Sequence, residues 1–149
     1  MADHMRDQIL AAVNTALTGL TTTGSRVYLD QDNPLEDGEL PGLTILQAGE
    51  STEVQTMPRP RLMQAVFDVD VSAYVKRTHA QGDARKTINT ICKEVQIAMS
   101  TAALAGAKYA TLVQTDFQLS GDAENPVAMA TMRWQILYFY QENAPDVPQ

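Results

Sequence analysis

"RLMQAVFDVDVSAYVK", Arg61 to Lys76, sets Met63, Ala65, Phe67, Val69, Val71, Ala73 and Val75 on one side of an alternation. Gln64, Asp68, Asp70, Ser72 and Lys76 occupy the other side. A period of two over this length is a strand with one face in a core and one face polar, since successive strand side chains point to opposite faces of a sheet. The odd-numbered face is therefore the core face, and the rest of the chain has to supply its cover.

On the N-terminal side, "MRDQILAAVNTAL" repeats Ile9, Ala12/Val13, Ala16/Leu17 and Leu20 at three- and four-residue spacing, the stripe of an amphipathic helix from Met5 to Leu20. Gly19, the threonines and Gly24 close it. A short strand is expected at Arg26 to Asp30, and "LTILQ" restarts the sheet after a loop in which Pro34, Gly38, Pro41 and Gly42 discourage regular structure. On the C-terminal side, Ala84, Ile88, Ile91, Val95, Ala98/Met99 and Ala102 trace a second amphipathic helix, with Asp83 as N-cap and Gly106 at its exit. "ATLVQTDFQL" and "VAMATMRWQILYFYQ" then read as two strands joined by the turn formers of "SGDAENP". In the last strand Leu137 and Phe139 load the second face, so cover by a helix or a partner is expected there.

The order α, β, β, β, α, β, β groups strands in runs. The expectation is an α+β fold, a mostly antiparallel or mixed sheet with two amphipathic helices packed on it. At 149 residues one domain is expected over 1–141, with a flexible tail over 142–149 containing Pro145 and Pro148.

Charge and composition narrow the function. The net charge of −7 and pI of about 4.6 give a mean field that repels phosphate, which argues against tight nucleic-acid reading. No apolar run approaches the ~18 residues of a membrane span. "MADHMRDQIL" lacks the basic, apolar and small-residue sections of a secretion signal. The single Cys92 excludes an internal disulfide framework.

Most catalytic chemistries fail on residue type or spacing. The glycines form neither GxGxxG nor a P-loop, and two histidines with one cysteine complete no zinc pattern. Cys92 lies beside Ile91 on a helix and reads as a small buried hydrophobe. Asp68 and Asp70 share a strand face, but no histidine or second acid is placed to complete an acid/base site; the same pair would suit the wall of an oligomer's channel. No catalytic, cofactor or metal residue is assigned.

The charges are segregated. Asp30, Asp32, Glu36, Asp37 and Glu39 fall in one loop without a base, and between Arg26 and Arg59 every charged residue is acidic. Arg59, Arg61, Lys76, Arg77, Arg85, Lys86 and Lys93 follow. The loop departs from an EF-hand at Pro34 and in its glycine and glutamate offsets. It fits better as a solvated or partner-reading surface, with Arg59 and Arg61 as a candidate mate at a subunit boundary. Copies meeting head to tail through such patches form a heterologous interface that closes into a ring if the rotation permits.

In the order of elements the chain resembles the tail terminator proteins of long-tailed bacteriophages, the family of the lambda minor tail protein U. The stretches that carry the likeness are "MRDQILAAVNTAL", "RVYLDQDNPLEDGELPGLTILQAGE", "MQAVFDVDVSAYVK", "ARKTINTICKEVQIAMS" and "MATMRWQILYFY". The resemblance implies a non-enzymatic virion protein without cofactor, assembled as a homo-hexameric ring at the head-proximal end of the tail after passing through the host cytoplasm. Its implied partners are further copies of itself, the tail tube protein and the head–tail connector or neck proteins. DNA would only pass through the channel, and no membrane is involved. Another neck or tail-completion protein, or a tail tube subunit, is the nearest alternative reading. A small acidic ligand- or metal-binding domain is a more distant one, which tight divalent-ion binding abolished at Asp30 and Asp32 would favour.

Overall fold

In the computed structural model, residues 3–29, 41–76, 83–120 and 127–149 are described, those at 83, 84, 119 and 120 by their backbone alone. The elements are α1 (Met5–Leu17), β1 (Val27–Leu29), β2 (Gly42–Val54), β3 (Leu62–Lys76), α2 (Asp83–Thr101), β4 (Tyr109–Ser120) and β5 (Val127–Gln141). They build one five-stranded sheet in the order β1-β2-β3-β5-β4, parallel between β1 and β2 and antiparallel elsewhere. This is the expected α+β fold with a mixed sheet.

The strand read first lies at the sheet's centre, between β2 and β5. Its odd face from Ala65 to Val75 is buried, and the register sets it beside the even face of β5, where Ala128, Ala130, Met132, Trp134, Ile136 and Tyr138 are buried too. Ile9, Val13 and Leu17 of α1 and Ile88, Ile91, Val95 and Met99 of α2 join the same apolar cluster, so both helices cover one face of the sheet. Cys92 is buried there as a small hydrophobe, and burial pushes its thiol up from the ordinary value.

Local chemistry sets the element ends. His4 caps α1, its ring Nδ1 accepting from the Arg6 N–H at 3.1 Å. The helix stops at Leu17, three residues before the periodicity suggested, because Thr18 turns extended while its N–H still bonds to Asn14 O. Helix α2 begins on Asp83 itself and leaves through Ala105 and Gly106 at φ of 53° and 88°. A Cβ at Gly106 would also stand 2.8 Å from Pro148, so a side chain there meets both strain and a clash. Strand β2 runs on to Val54, well past "LTILQ", because a bulge between Gln47 and Gly49 shifts the register and breaks the alternation that marks a strand in sequence.

Two tethers hold the helix layer. Glu94 of α2 accepts from the Thr22 N–H at 2.9 Å and from Thr22 Oγ1 at 2.6 Å, which binds the turn after α1 to α2. Glu94→Ala leaves both donors unpaired and is expected to cost about 1–1.5 kcal/mol, read from urea unfolding. After β5, Met5 N–H donates to Pro145 O at 3.0 Å, Gln8 Nε2 to Asp146 O at 2.8 Å, and Gln149 N–H to Phe139 O at 3.0 Å.

Candidate functional site

With both helices on one side, the even face of β3 and the odd face of β5 have no helix over them among the described residues. Their centre is polar and mostly acidic. The register sets Asp70 opposite Arg133, Asp68 opposite Gln135 and Ser72 opposite Thr131, while Asp116 of β4 lies opposite Thr131 from the other side. Arg133 grips Asp70 with a two-point fork, Nε to Oδ1 at 2.9 Å and Nη2 to Oδ2 at 3.1 Å. That bond, and then the nearby charges of Asp68 and Asp116, push the Arg133 guanidinium above its ordinary value. Ser72 and Thr131 hydroxyls bond at 3.0 Å, and Gln114 Nε2 donates to Asp116 Oδ2 at 2.8 Å. Three carboxylates around one guanidinium keep the band negative.

Chemically this band is a wall. Asp70 is held by Arg133, so it and Asp68 do not act as a matched acid/base pair, and Asp68 Oδ1 is shielded without a hydrogen-bond partner. Among the described residues no group of three or more His, Cys, Asp or Glu could hold a metal ion. No helix among them is long and apolar enough to cross a membrane. Val66, Leu137, Phe139 and Tyr74 are half-buried and flank the band. The second face of β5 at Leu137 and Phe139, for which helix or partner cover is expected, carries no helix among the described residues.

Asp30, Asp32, Glu36, Asp37 and Glu39 lie outside the described residues. Arg59 is exposed at the tip of the β2–β3 hairpin, next to Met57, which is 82% exposed. Arg61 is held within the chain: its Nε meets Glu142 Oε2 at 2.9 Å and its N–H meets Oε1 at 3.2 Å, which draws the Glu142 carboxyl below its usual range. Sequence reasoning missed Arg133 and Glu142, because both act across strands and only the register brings them to their partners. It also missed the far edge, where Ile97 of α2 and Val113 and Phe117 of β4 are exposed.

No family model matches the chain. No curated protein matches it either. By shape it is similar to a chain in a solved structure described as "Virion of native gene transfer agent (GTA) particle", with a TM-score of 0.44 and 18% identity over 90% of this chain and 92% of that one. A likeness at this level transfers no role to the present chain.

Proposed function

We propose that the protein is a non-enzymatic structural subunit of a phage virion, a tail terminator that closes into a ring of about six copies at the head-proximal end of the tail. In this role it ends growth of the tail tube and offers the surface on which the filled head is joined. Residues 1–141 serve as one α+β unit, and no cofactor is needed. The resemblance of the chain's elements to the terminator family supports the reading. The observation that carries it is the sheet itself: covered on one face, it presents on the other an acidic wall of Asp68, Asp70 and Asp116. Such a wall around a channel lets DNA pass without adhering, because it repels phosphate. The partners are other copies, the tail tube protein and the neck or connector proteins, met first in the host cytoplasm. Asp30, Asp32, Glu36, Asp37 and Glu39 form one side of a contact, with exposed Arg59 a basic element elsewhere on the surface and Arg61 committed to Glu142.

The test joins mass and capping. Light scattering across a concentration range should show a closed species of about six copies, and added protein should stop tube growth in vitro. Glu36→Lys with Asp37→Lys is expected to keep the far-ultraviolet spectrum of the folded chain and weaken ring or tube attachment at least roughly tenfold, the loss expected from reversing charges at a contact. Tubes that lengthen unchecked in the presence of the wild-type protein would exclude the terminator role.

A further inference from the structure

Most of the exposed large apolar side chains of the described residues gather at two places. One is the edge of the sheet at β4. On α2, Lys86, Asn89, Lys93 and Ile97 follow each other at helical spacing along an exposed line, while Ile88, Ile91, Cys92 and Val95 point to the core. Edge strand β4 turns Thr115 and Phe117 to the helix side, set by their register against Met132 and Ala130. Between helix and strand lies a depression of about 320 Å³, lined among others by Lys93, Gln96, Ile97, Thr115 and Phe117. Phe117 is 63% exposed and Ile97 56%, so two large apolar side chains stand open on its walls.

The other is the hairpin between β2 and β3, in which every residue from Ser51 to Pro60 is exposed. Its tip carries Met57, with Val54 below it on β2. The arm is nonetheless held in one shape: Val54 pairs with Met63, Gln55 N–H donates to Leu62 O at 2.7 Å, and Arg61 at the root is locked to Glu142. Pro58 and Pro60 fix φ on either side of Arg59, so little backbone freedom is left to lose when the tip binds. The arm does not reach the depression of its own molecule. Phe117 stands in register with Ala130 and through it with Ala73, eleven positions along β3 from Leu62, or about 36 Å. Met57 lies beyond Leu62, farther still from that depression.

We propose that the depression between α2 and β4 receives the β2–β3 arm of a second copy, with Met57 seated between Ile97 and Phe117. The charges agree in sign. Glu53 of the arm meets the line of Lys86 and Lys93 on the helix wall, and Arg59 reaches over the β4 edge to Asp116, which lies beside Phe117 on the other face of that strand. Among the described residues none of Glu53, Arg59, Lys86 and Lys93 has an ion-pair partner. Arm and depression are different surfaces of one chain, so the contact is head to tail and its repetition closes a ring or extends a filament. The inference rests on the self-assembly proposed above and adds a contact to it.

The experiment uses the full-length chain. Both side chains at the centre of the contact are largely exposed in the single subunit, so Met57→Asp and Phe117→Asp should leave its urea midpoint nearly unchanged. Each variant alone should need at least roughly tenfold more protein than the wild type for half-assembly. Mixed one to one, the two should form pairs and stop there. The intact arm of the Phe117→Asp chain fits the intact depression of the Met57→Asp chain, and the arm and depression left over are both spoiled. In a Cys92→Ala background, Met57→Cys chains mixed with Phe117→Cys chains should give a disulfide between chains under mild oxidation. Met57→Cys chains mixed with Ala11→Cys chains, whose thiol is exposed on α1, should not. Assembly of either Asp-substituted chain at the wild-type concentration, a mixture that stays monomeric, or equal crosslinking to Ala11→Cys overturns the contact and leaves the ring. A wild-type chain that neither assembles nor, with the cysteines in place, crosslinks overturns both.

Discussion

Phe67→Ala is expected to lower the free energy of unfolding by about 3–5 kcal/mol, the range for removing a buried aromatic ring from a core. Phe67 is 1% exposed at the middle of β3, beside Glu50 of β2 and Ile136 of β5. Its strand has a neighbour on both sides and the helix layer above, so the surroundings have little freedom to collapse into the space left. The matching control is Phe117→Ala at the sheet's edge, which should change the stability of the isolated subunit by no more than about 0.5 kcal/mol. Urea titration reads both, with a shifted midpoint and an unchanged slope. A loss below about 1.5 kcal/mol at Phe67 would show that the odd face of β3 is not the tightly packed centre.

Alkaline pH should destabilise the fold through Tyr138. Its ring is fully buried, and its hydroxyl donates to Glu50, which also meets Arg6 Nη1 at 3.3 Å. Burial, followed by the hydrogen bond and charge of Glu50, pushes the phenol far above its ordinary value, and Tyr140 beside it is raised in the same direction. Above the unfolded value of about 10 the unfolded chain releases a proton that the native chain keeps. The native state then binds more protons, so stability is whole below pH ~10 and falls as pH rises, by up to about 1.4 kcal/mol per pH unit for one such group. By pH ~11.5 the loss from Tyr138 reaches about 2 kcal/mol. Tyr138→Phe should start less stable at neutral pH, because Glu50 loses its hydroxyl donor, and should show a shallower alkaline decline. Equal slopes for the two proteins between pH ~9.5 and ~11.5 would assign the decline to other groups.

The same physics explains which features could be read in advance. Alternation from Met63 to Val75 and the helical stripe from Ile88 to Met99 report burial directly, because a side chain's face follows from its position along its own strand or helix. Together with the order of the other elements, those patterns are sufficient for an α+β fold and for the correct core face of β3. Strand β2 extends past the stretch its alternation marks, since the bulge at Gln47/Gly49 moves the positions paired with the odd face of β3 from 43, 45 and 47 to 50, 52 and 54, and of these only Leu43 and Ile45 are buried. Cys92 was legible as a buried hydrophobe from its place beside Ile91.

Pairings between elements were not legible. Asp70 looked like half of a carboxylate pair until the register of β3 against β5 set Arg133 opposite it. Arg61 looked available to a partner until the end of β5 brought Glu142 within 2.9 Å. An open depression lined by Lys93, Ile97, Thr115 and Phe117 joins residues that are ordinary within their own elements, and it exists because β5 inserts between β3 and β4 and leaves β4 at the edge beneath α2. Local sequence carries the periodicity of one element, whereas strand order and register depend on non-local contacts that no single segment encodes. The chain's sequence therefore specified its elements, its core face and its segregated charge; the tertiary fold decided which charges are already paired, which face of the sheet the two helices cover, and which strands stand at its edges.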